Sequence, residues 1–485
     1  MSPRRSRILL SALALSLAGV AVVPVSAVAA DRASARPTCQ GKPATIVGSN
    51  RPHGQLRGTA GDDVIVSDRA PLVDSRGGSD TICLTGLAGA AFVRVLAGAG
   101  DDSVVNRLTG RSVTLVRLGD GADRYVGGDR RDQVLAGTDD DRDRVWTGAG
   151  SDLVSARAED DVDLGGGSDD VVLATTSPAQ RLVGGAGADE LLVGRGVDTT
   201  GWRLDNVTER ASRDGATVLR WASFAAFRFT GHDLESFTGG ESNDLVQARS
   251  IDTTATGGGN DVVIADRLGL VDVGAGDDKV LGDRVEVGLV LGDGNDRVEL
   301  TVDPYNQLPS YDGGPGRDLF GPRVHVPPPA TYPQEMRGDL VTQQITFPGS
   351  VVPAIEFARM EGLHLYGPSV TLVGDEQGNH LAADGCHVTI QGAAGDDVLH
   401  TALDPFQDYP CAYDVDPTRE MWGGAGNDSL RGDVYRDVLH GGAGDDLMRG
   451  GDFDDRLIGG PGHDEARGEA GRDACQAERE LGCEA

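Results

Sequence analysis

The chain has 485 residues, of which 71 are glycine and only 5% are aromatic. Its length allows two or three globular domains. So much glycine with so few rings argues against a large side-chain-filled core, leaving low-complexity disorder or a backbone-built repeat fold. A net charge of −32, from 76 acids and 44 bases, repels nucleic acid and anionic membranes and attracts cations.

Arg4, Arg5 and Arg7 precede an apolar run from Ile8 to Val23 and small residues at Ala27–Ala30. This is the layout of a secretory signal peptide over residues 1–30, cleaved before Ala30 or Asp31. The run is short for a membrane anchor, and no later stretch approaches spanning length. The chain is therefore expected to be secreted and extracellular, by general or twin-arginine export. Six cysteines suit an oxidising compartment. Cys475 and Cys483 close a short loop, Cys386 and Cys411 flank a proline- and aspartate-rich stretch, and Cys39 and Cys83 are left. Spacing alone still admits fifteen pairings.

Glycine-framed turns follow. An N-terminal cap with the first repeats (31–83) and a first solenoid (84–196) carry aspartates in turns such as "GTAGDDVIV" and "AGAGDDSVV". They are Asp63, Asp80, Asp102, Asp123, Asp152, Asp169 and Asp189, read as one series with gaps of 17 to 29 residues. A second solenoid (239–320) has Asp244, Asp261, Asp278, Asp296 and Asp318. Segments 197–238 and 321–373 alternate apolar and polar residues, and each contains a valine-threonine step (Val207-Thr208, Val341-Thr342). They read as two copies of one β insertion. Trp202 and Trp221 make the first a place for ligand recognition, although rings packing a local core are the stronger expectation. Residues 374–422 hold Asp397 and the Cys386–Cys411 stretch.

Residues 423–476 are six tandem nonapeptides, with 477–485 as a C-terminal cap. Position one is always glycine (Gly423, Gly432, Gly441, Gly450, Gly459, Gly468). Position six is always aspartate (Asp428, Asp437, Asp446, Asp455, Asp464, Asp473), and position eight is mostly apolar. Glycine permits a tight turn, and the three residues after the aspartate form a short strand with its middle side chain inward. Nine residues make half a coil, so alternate units lie on opposite edges. Units one, three and five keep Gly426, Gly444 and Gly462 at position four, whereas units two and four have Tyr435 and Phe453. One edge is thus the better kept. Hard cations want carboxylate and carbonyl oxygens, and calcium tolerates irregular geometry best. A Ca2+ ion bridging two stacked turns would staple coils and offset carboxylate repulsion.

The frame resembles that of the hemolysin-type (RTX) nonapeptide-repeat calcium-binding proteins. "CQGKPATIVGS" at 39–49 is similar to the N-terminal cap of secreted members from high-GC bacteria. The resemblance implies an all-β parallel β-roll binding multiple Ca2+ ions. It implies calcium contacts by Asp428, Asp446 and Asp464 on one edge and Asp437, Asp455 and Asp473 on the other. The chain departs from many members in having an N-terminal leader and a cysteine-closed end, where the helix-prone "QAERELG" would form a lid. No HExxH or GxSxG occurs, so the usual zinc-protease and serine-hydrolase sites are absent. His440 and His463 fall within repeats. The expected role is structural or surface-interacting rather than enzymatic. The partner left open is a cell-wall or extracellular polysaccharide or a protein, and the alternative is a solenoid enzyme or binding module acting on such a polysaccharide.

Overall fold

A computed structural model describes residues 36–484 apart from 49–53, 69, 88–91, 110–112, 306–308, 326–331 and 402–418. The leader assigned to residues 1–30 and Cys411 lie outside the described residues. Among the described residues there is no helix, and strands pair in parallel at almost every coil. Most coils add 17 to 22 residues: Val64 pairs with Thr81, Thr81 with Ser103 and Leu447 with Glu465. The parallel β-solenoid expected from the repeat is the fold.

The chain winds between two faces. The first runs through Val113–Asp120, Asp132–Gly137, Leu153–Ala156, Asp170–Leu173 and Glu190–Val193, and continues to Leu447–Asp452 and Glu465–Ala470. The second has an N-terminal part from Val64–Ser67 to Arg181–Gly187 and a C-terminal part from Glu335–Asp339 to Ala474–Gln476. Side chains alternate in and out along each short strand, so one or two aliphatic residues per strand point inward. At position eight Leu430, Leu439, Met448, Leu457 and Ala466 are all at most 1% exposed. Odd units lie on the first face and even units on the second. From Ala226–Thr238 to Lys279–Val290 the far half of each coil has no glycine turn, and one strand of 11 to 13 residues continues through it.

Both insertions add antiparallel strands. Arg203–Asp205, Arg210–Arg213 and Ala216–Ala222 form one set; Glu335–Asp339, Gln344–Thr346 and Ile355–Glu356 form the other. Their turns match in detail. The Thr208 N–H donates to Asp205 Oδ1 and the Thr342 N–H to Asp339 Oδ1. Glu209 and Gln343 follow at φ 53° and 52°. The aromatic residues of 197–238 are core: Trp202, Trp221, Phe227, Phe229 and Phe237 are at most 5% exposed and pack ring on ring.

Disulfides Cys39–Cys83 and Cys475–Cys483 stand near the two ends, and Cys386 is disulfide-bonded. The tail corrects one expectation. Arg479–Leu481 is a strand paired with Glu465–Ala470 rather than a helical lid, because the coil below offers an open strand edge that a helix would leave unpaired.

Position four shows what the glycines do. Gly444 sits at φ 135°, and the equivalent Phe453 is forced to φ 75° while 60% exposed. Left-handed backbone costs an L-residue about 1–2 kcal/mol. Phe453→Gly should therefore raise stability by about 1 kcal/mol in denaturant unfolding, although it deletes a large side chain.

Candidate metal centre

The position-six aspartates stack in files. In each file the backbone N–H of one aspartate donates to Oδ1 of the aspartate one coil later. Asp428 donates to Asp446 at 2.8 Å and Asp446 to Asp464 at 3.0 Å. On the opposite edge Asp437 donates to Asp455 and Asp455 to Asp473, both at 2.9 Å. Asp244, Asp261, Asp278, Asp296 and Asp318 form a third file, which ends on Glu361 Oε2. The 428–464 file begins upstream at Asn379 and Asp397 and ends on Glu478 Oε2.

The first series needs correcting. Asp63, Asp80, Asp102 and Asp123 form a file that continues to Asp143 and Asp160. Asp152, Asp169 and Asp189 belong to a separate file on the other edge, begun by Asp132. The 29-residue gap between Asp123 and Asp152 is one coil plus half a coil. Asp132, Asp143 and Asp160 were missed because their turns lack the full glycine frame. The signal that finds them is an aspartate followed at the second place by an inward valine: Val134, Val145 and Val162.

A file has two chemically different ends. No preceding file residue fills Oδ1 of the first carboxylate, and in three files a side-chain donor does so instead. Thr45 Oγ1 donates to Asp63 at 3.1 Å, Asn106 Nδ2 to Asp132 at 3.0 Å and Asn206 Nδ2 to Asp244 at 2.8 Å. Trp221 Nε1 holds the Asn206 carbonyl at 2.9 Å, which gives this insertion a role in the file. At the head of the 437–473 file the register neighbour is Arg419. It is 2% exposed, stacked on Tyr435, and its charge pulls against the burial that raises Asp437.

Inside the files the second oxygen is left over. Oδ2 of Asp102, Asp123, Asp278, Asp446 and Asp455, among others, is buried without a hydrogen-bond partner. It folds back over its own turn: a Cβ on Gly441 would lie 2.3 Å from Asp446 Oδ2, which is why position one is glycine. Burial is the first cause raising these groups, working against the N–H bond from the preceding coil. Asp102, Asp143 and Asp455 rise to about 8, and Asp123, Asp152, Asp278, Asp318 and Asp397 to about 7.

Such orphaned oxygens fit a cation. Among the described residues no three carboxylate, imidazole or thiolate groups converge on one point, so an ion here would draw most of its ligands from main-chain carbonyls. Stacked turns supply them. Gly424 O and Gly426 O lie 2.1 and 2.0 Å from where Cβ atoms on Gly442 and Gly444 would sit. An all-oxygen, irregular donor set suits calcium better than a soft metal.

Position five adds an outer file. The Asn427 N–H donates to Asp396 Oδ1, Asp445 to Asn427 and His463 to Asp445, at 2.7–2.9 Å. These bonds run in the opposite sense to the inner ones. Away from the turns, His364, His380 and His400 gather on the first face. His380 and His400 meet nitrogen to nitrogen at 3.0 Å with ring centroids 5.2 Å apart, the head-on geometry of one shared proton. Burial pushes His400 down to about 4. Asp384 and Tyr366 take both nitrogens of His364.

A carboxylate at the same turn place in coil after coil defines a β-solenoid of aspartate-turn repeats. The RTX calcium-binding nonapeptide repeat matches four segments, residues 118–142, 180–200, 422–455 and 449–477. The chain carries that calcium-binding repeat. No curated protein matches it.

Two outcomes check this chemistry. The folded pKa values of buried file aspartates such as Asp102 and Asp455 lie above the unfolded value of 3.8, so the folded state holds the extra protons. The metal-free protein should be most stable below about pH 4 and lose stability as pH rises toward 8, measured by thermal melts in EDTA. Asn206→Ala strands a buried carboxylate oxygen and an indole N–H, and should cost about 2 kcal/mol, read from denaturant midpoints.

Proposed function

We propose that this is a secreted protein in which calcium completes the files and makes the solenoid a rigid scaffold with a structural or surface-interaction role, without catalysis. The observation that carries the reading is the line of buried, unpartnered Oδ2 atoms repeated coil after coil. The ligand set runs along all five files: Asp63, Asp80, Asp102 and Asp123; Asp152, Asp169 and Asp189; Asp244, Asp261, Asp278, Asp296 and Asp318; Asp397, Asp428, Asp446 and Asp464; and Asp437, Asp455 and Asp473. Asp132, Asp143 and Asp160 join them. Calcium supplies the positive charge that stacked carboxylates lack, while the chain holds one oxygen of each carboxylate after the first in a file through the N–H bond. Among the described residues no helix is long and apolar enough to cross a membrane.

Millimolar calcium added to EDTA-treated protein should raise strand circular dichroism and protease resistance, and magnesium should do much less. Unchanged spectra on adding and removing calcium would sink the reading. Asp446→Ala should raise the calcium midpoint of folding by at least the ~10-fold that even outer-shell changes cost. Asp437→Ala should raise it less, because Arg419 already balances that carboxylate. Equal shifts would mean that the buried guanidinium does not substitute for metal charge.

A further inference from the structure

Position nine of the odd nonapeptides is arginine three times, Arg431, Arg449 and Arg467, eighteen residues apart. They are register neighbours on consecutive strands of the first face. Their side chains point outward, since Leu430, Met448 and Ala466 beside them are the buried ones. Parallel strands lie ~4.8 Å apart, and like charges directly opposite weaken a sheet. A chain with 76 acids has ample means to alternate signs here and does not. The even units put His440, Ile458 and Gln476 at the same place on the other face, so the repeat does not itself demand arginine.

Neutralisation is partial. Glu465 accepts from Arg467 Nε and from Arg479 Nη1, both at 2.6 Å. Among the described residues Arg431 and Arg449 have no carboxylate within ion-pair distance. Across the three register columns that start at Ser429, Leu430 and Arg431, four consecutive coils thus carry four arginines and two glutamates, Glu465 and the exposed Glu480. The other outward residues there, Ser429 and Leu447, are small or apolar. The stripe is one guanidinium wide, straight, and held by the buried column beneath it.

We propose that this stripe binds a linear polyuronate, a sugar chain with one carboxylate per ring, lying along the solenoid axis across the coils. The assignment rests on the scaffold reading above and names its partner. A guanidinium pairs with a carboxylate through two parallel N–H···O bonds, and a pyranose ring is about as long as one coil is thick, so the carboxylates turned toward the protein fall in register with arginines of the stripe. Nucleic acid fits less well. Duplex DNA carries a charge every ~1.7 Å, far denser than the stripe; the ring in register with the stripe, His400 beside Arg431, is already engaged by His380; and the net charge of −32 opposes so dense a polyanion.

The test uses the full chain folded in millimolar calcium, with fluorescently labelled oligogalacturonate as the probe in a polarisation assay. Methyl-esterified oligogalacturonate and a single-stranded oligonucleotide are the comparison ligands. The expected result is binding of the free acid that weakens with salt and is lost on esterification. The double substitution R431Q/R449Q should weaken it at least 10-fold while leaving calcium-driven circular dichroism unchanged. If the folded protein ignores oligogalacturonate, or the double variant binds it equally well, the stripe is not the site, and the scaffold reading stands. Tighter binding of the oligonucleotide would overturn the partner class. Failure of calcium to fold the chain would overturn both readings together.

Discussion

The bond from a backbone N–H to the carboxylate one coil later holds this molecule in register. A parallel strand ladder fixes the spacing of coils but says little about the turns between strands, where glycine leaves the backbone loose. The aspartate resolves that looseness. One oxygen ties its turn to the coil before, and the side chain closes over its own position-one glycine, as Asp446 does over Gly441. The second oxygen is then committed to a buried place without a partner. Local order and the need for a cation therefore come from the same side chain, and neither can be removed without the other.

The files also explain the irregular parts. Where the first insertion rejoins the solenoid, Ala225 occupies the turn place that Glu361 occupies after the second. Alanine has no carboxylate, so the file begun at Asp132 stops at Asp189 and a new one starts at Asp244. Glutamate reaches one coil back and ends the third file with an acceptor. The insertions resemble each other in their turns yet act differently on the repeat, and one residue makes the difference.

Much of this was legible in the sequence. The parallel solenoid, the inward position eight and the alternation of edges all follow from an unbroken nine-residue beat. The aspartates named from glycine-framed turns all lie in files. What escaped were places where side chains do the work of the frame. Asp143 sits in "TDDDRDR" with no complete glycine turn, and Asn379 stands where an aspartate would. Arg419 enters a file as a cation, which no pattern of acids anticipates. The edge switch after Asp123 was hidden because a half-coil step differs from a whole one only in length. The histidine cluster was invisible because its members are brought together by strand pairing rather than by spacing along the chain.

The polarity of the files bears on assembly. Every file begins with a side-chain oxygen acceptor and ends with an N–H, so two solenoids stacked end to end could continue one another only head to tail. Such contacts do not close on themselves and grow into filaments. Thr45 already fills the leading carboxylate of Asp63, with the Cys39–Cys83 bridge beside it, and at the far end Glu478 already accepts the N–H of Asp464. Each terminus thus carries its own substitute for a neighbouring molecule, and the same bond that propagates without limit inside the chain is kept from propagating between chains.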